Sequence, residues 1–77
     1  MPFLERARAL FSEDPIQARA LAAWRVAECH VRERWDWFLV AERDARELAF
    51  AAYMRALDCE AAAADRLAAL FAIDQAA

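Results

Sequence analysis

His30 is the residue of this chain whose side chain is best suited to chemistry, and it stands beside Cys29 and three residues before Glu33. An imidazole and a carboxylate at that spacing share one face of a helix, where together they could hold a metal ion or pass a proton. Cys29 lies about 100° round the helix from His30, too far to join them easily. Helical di-iron proteins use Glu-x-x-His on two helices with further glutamates facing inward. Here the order is His30 then Glu33, and the position three residues before His30 is Ala27. The pair lacks the companions a metal centre needs. A hydrogen-bonded or solvated histidine is the expectation, with no metal and no cofactor, and His30 and Glu33 as the residues to watch.

The other nucleophiles are few. Ser12 is the single serine, there is no threonine, and its place in Ser12-Glu13-Asp14-Pro15 suits a turn or cap better than catalysis. Cys29 and Cys59 lack the C-x-x-C spacing and the activating basic cluster of redox thiols, and two cysteines do not make a disulfide framework. They read as reduced thiols. If the chain turns near residue 42 or 43, Cys59 comes to lie opposite Val26 and within a turn of Cys29. The thirteen carboxylates could supply an acid–base pair. Their spacings, however, are those of ordinary helix-surface ion pairs: Glu28, Arg32 and Asp36 form an i, i+4 ladder, as do Arg43 with Glu47 and Glu42 with Arg46. Glu28 stands out because it borders an apolar stripe, which predicts partial burial with Arg25 or Arg32 as companion. The chain is read as a non-enzyme.

Composition removes further classes. Zero glycine excludes phosphate-cradling loops and dinucleotide fingerprints, which need glycine where the backbone closes on phosphate. A net charge of −3, with arginines interleaved among acids, argues against direct binding of nucleic acid. No uncharged run exceeds the seven residues of Leu48 to Met54 or Leu67 to Ile73, whereas a membrane span needs about 20 apolar residues. Glu5, Arg6 and Arg8 interrupt any secretory signal. The expectation is a soluble cytoplasmic protein without a membrane partner.

Twenty-two alanines and 62% hydrophobic residues in 77 positions predict a single, nearly all-helical domain covering 1–77. Phe3, Leu4, Ala7, Leu10 and Phe11 give a short amphipathic helix over about 2–11. Asp14 as N-cap, Pro15 at the first helical position and Gln17 as a capping-box partner start a second helix, over about 15–41. Its core stripe contains Leu21, Trp24, Val31, Trp35 and Phe38. The phase fails at Glu42-Arg43-Asp44, which places a turn between residues 40 and 46, and Asp44 with Glu47 makes a second D-x-x-E capping pattern. A third helix over about 44–74 follows, its core stripe containing Phe50, Tyr53, Met54, Leu57, Ala61, Ala64, Ala68 and Phe71. A rival reading breaks this helix at Asp58-Cys59-Glu60, giving a monomeric three- or four-helix bundle. Ala61-Ala62-Ala63-Ala64 permits close helix approach, with Trp24 or another large residue able to fill the space from across, and helix propensity alone explains the run equally well.

Two long helices joined by so short a connection form an antiparallel hairpin, and a hairpin covers only one side of each helix. Trp35 and Trp37 point about 200° apart and cannot both enter one core. Trp37 shares its side with Ala23, Val26 and His30, a second apolar stripe read as opposite the Trp24 face and as an interface. The reading that follows is an all-α, non-enzymatic interaction protein, adaptor or scaffold, that dimerises into a four-helix bundle and presents a face to a larger protein partner. Two alternatives stand beside it: a small acidic inhibitor of a nucleic-acid-binding protein, and a metal- or cofactor-binding bundle using His30.

Overall fold

A computed structural model describes residues 14–76, and within them the chain forms two α-helices and no strand. The helix expected over 2–11 lies outside the described residues. Helix α1 runs Pro15–Val40 and helix α2 runs Arg46–Ala76. The start of α1 follows from its first residues. Asp14 keeps an extended backbone and its Oδ1 accepts the Ile16 N–H at 2.9 Å, while Pro15 takes a position whose missing N–H costs the helix nothing. The Asp14 carbonyl takes the first helical bond, from the Ala18 N–H at 3.0 Å.

The far end of α1 has no glycine to close it. Ala41 instead turns extended, at φ −64° and ψ 136°, and its N–H reaches the Phe38 carbonyl at 3.4 Å. Residues 41–45 form the connection. Its cap differs from the one the D-x-x-E pattern predicts. The Ala45 N–H donates to the Glu42 carbonyl at 2.9 Å, and the Ala45 carbonyl accepts from Ala49 at 2.8 Å. Ala45 therefore stands at the cap position and Asp44 one residue outside it, because this tight turn spends the backbone of Glu42 to Ala45 before the helix opens.

At about 1.5 Å per residue the helices are roughly 39 and 46 Å long. They pack against one another as an antiparallel hairpin 52 Å in its longest dimension. Helix α2 is continuous through Asp58, so the proposed break at 58–60 does not occur. With no glycine or proline in that stretch, only a side-chain cap could have ended the helix, and Asp58 stays on its exposed outer side.

The seam is built from small side chains. Its buried hydrophobic residues are Ala20, Ala41, Ala49 and Ala56, and Gln17 is buried with them at the open end of the hairpin. This corrects the expected face of α2. Ala49 and Ala56 each precede by one residue the Phe50 and Leu57 of the apolar stripe, so the seam lies about 100° round the helix from it. Alanine at these positions lets the two backbones approach closely, which places the large residues on the shoulders of the contact. Leu21, Trp24, Val31, Phe38, Tyr53, Leu57 and Phe71 are half-buried, whereas Trp35, Phe50 and Met54 are exposed. No large side chain is fully buried among those described.

Candidate interaction surface

The large side chains divide between two shoulders of the hairpin. On one, rings from both helices interlock. Trp35 lies 5.1 Å from Tyr53 and 5.5 Å from Phe38, and Phe38 lies 5.5 Å from Phe50, between ring centroids, all tilted. Phe50 and Tyr53 complete the set at 6.4 Å. Each cross-helix pair is an arrangement that aromatic quadrupoles favour. The outer surface of this cluster faces water: Trp35 is 41%, Phe50 46% and Met54 44% exposed. Leu39, one turn beyond Trp35, extends the patch.

The opposite shoulder is a groove of about 380 Å³. Its lining includes Ala23, Val26 and His30 of α1, and Ala52, Ala56 and Cys59 of α2. The stripe expected to lie opposite the core therefore borders the seam, because the close approach through alanine brings α2 alongside it. Trp37 follows His30 by seven residues and continues the line towards the turn, 37% exposed. The two tryptophans separate as their spacing demands, yet neither is buried. Cys59 and Val26 line the same groove. Both cysteines are free and exposed, and Cys29 is not part of the groove lining.

Polar pairing is sparse. The Trp24 indole Nε1 donates to Glu60 Oε1 at 2.8 Å, a part-buried bond that ties the two helices. The carboxylate that receives the indole N–H is not legible in the sequence, since 36 residues separate the partners. The Arg32 guanidinium holds Glu28 at 2.8 Å, so the expected companion is present and Glu28 is half-buried. The other rungs do not form among the described residues. Glu42 and Arg43 sit in the connection, where i, i+4 no longer means one helical face, and Arg32 is committed to Glu28 and leaves Asp36 exposed.

His30 lines the groove, but Glu33 does not join it there. Among the described residues no three His, Cys, Asp or Glu side chains converge as a metal site would require. No helix among them is long and apolar enough to cross a membrane. What the surface offers is contact area: an aromatic patch on one side, a groove with a basic rim on the other. No protein-family model matches the chain, and no characterised protein or solved structure shows significant similarity to it.

Proposed function

We propose that this chain is a non-enzymatic helical interaction module of the cytoplasm, which pairs with a second copy through the aromatic shoulder to form a four-helix bundle and serves as an adaptor or scaffold for a larger protein. The carrying observation is the patch of Trp35, Phe50, Met54 and Leu39, each large, apolar and at least 41% exposed, on two helices that are already rigidly joined beneath it. A preformed apolar surface of this kind loses little conformational entropy on association, and aromatic residues dominate binding hot spots.

Burial supports the same reading: no large side chain among the described residues is fully buried, so apolar surface remains for a partner to cover. Two exposed free thiols fit a reducing compartment.

The test is the concentration dependence of thermal unfolding. For a dimer the midpoint rises with chain concentration. Met54→Glu, a charge on the aromatic shoulder, should abolish that dependence, and Ala51→Glu on the exposed outer side of α2 should preserve it. A wild-type midpoint that does not move with concentration would retire the pairing.

A further inference from the structure

We infer that the groove between α1 and α2 is a docking site for an acidic amphipathic helix of a partner protein. This extends the interaction-module reading to the chemistry of the partner, and it uses the shoulder that aromatic pairing leaves open.

Charge is the first observation. Arg34 on the α1 bank and Arg55 on the α2 bank rim the groove together with His30, and no carboxylate among the described residues lines it. The ion pair among the described residues is Arg32 with Glu28, so neither rim arginine is held in one. In a chain of net charge −3 this is a local reversal of sign. It presents one guanidinium on each bank, where acids flanking an apolar stripe would meet them.

Shape is the second. The floor is alanine: Ala23 and Ala27 from one helix, Ala52 and Ala56 from the other. From Ala23 to Arg34 the α1 bank runs about 16 Å, or three turns, the length over which a docked helix presents anchors at i, i+3 or i+4, and i+7. Small side chains below let its axis settle close to both helices, completing a three-helix layer. Val26 and Cys59 give the stripe apolar walls, and Trp37 continues it towards the turn. A second copy fits poorly here. Two-fold pairing through this shoulder would bring one basic rim against another, with no carboxylate among the described lining residues to meet it.

The two thiols provide a built-in test, since Cys59 lines the groove and Cys29 is exposed away from it. The full-length chain is treated with iodoacetamide, with and without a designed peptide of about 18 residues that carries a leucine stripe flanked by glutamates. Labelling of each cysteine is followed by mass spectrometry. The expected result is protection of Cys59 and not Cys29, weakened by salt. Arg34→Glu with Arg55→Glu should lower peptide affinity about tenfold and transfer the preference to a lysine-flanked peptide. Both arginines are exposed, and circular dichroism verifies that the variant stays helical. Equal protection by the glutamate and lysine peptides, or none by either, overturns the inference. So does a Cys59 already blocked without peptide: independent of concentration, the chain fills its own groove, and dependent on it, a second copy does. A chain that proves monomeric yet shows peptide protection loses the aromatic pairing and keeps this site, and a dimer without protection does the reverse.

Discussion

At the scale of single residues, the bond from Trp24 to Glu60 and the aromatic set around Trp35 do different work. Trp24→Phe keeps most of the ring and removes the indole N–H, leaving a half-buried carboxylate without its donor. The expected loss is about 1 kcal/mol in urea unfolding, and Glu60→Ala should add little once Trp24 is already Phe. Full additivity of the two would show that the bond does not hold the helices. Trp35→Ala removes two ring contacts and should lower the melting midpoint by several degrees. Trp37→Ala, which removes no such contact, should leave the midpoint close to wild type; equal losses in both variants would contradict this division. Periodicity had put the two tryptophans on different sides, and the structure agrees. The partial exposure of Trp35 was not legible, because it depends on the alanines that set the gap between the helices.

At the scale of elements, the hairpin itself is readable from Asp14-Pro15, from the unbroken helix-forming run behind it and from the charges at residues 42–44. The rotation of α2 is not. Apolar stripes are weighted by large side chains, and Phe50, Met54 and Leu57 outweigh the alanines one step before them, although the alanines make the contact. Overpacking tests the corrected face: Ala49→Leu or Ala56→Leu should cost about 1–3 kcal/mol, and Ala51→Leu on the exposed outer side less than about 0.5 kcal/mol. A reversed order would restore the stripe as the buried face. Continuity of α2 makes a separate prediction. If a helix began at Asp58, proline would be welcome at position 59, whereas inside a continuous helix Cys59→Pro should cost about 3 kcal/mol or more. A variant as stable as wild type would mean that α2 breaks there.

At the scale of the whole molecule, a hairpin 52 Å long with no fully buried large side chain among its described residues has far more surface than its seam can hide. The two shoulders differ in chemistry. The aromatic one presents Trp35, Phe50 and Met54, and the groove carries Arg34 and Arg55 on its rim. Composition alone hid this division, because the net charge is acidic and the arginines are scattered along the chain. They gather only when two helices are set side by side. The measurement that bears most directly on the account is the molar mass of the wild-type chain by sedimentation equilibrium over a wide concentration range. The account predicts a reversible monomer–dimer equilibrium whose mass approaches twice 8.8 kDa as concentration rises. A mass that stays at one chain throughout would contradict the pairing of hairpins through Trp35, Phe50 and Met54.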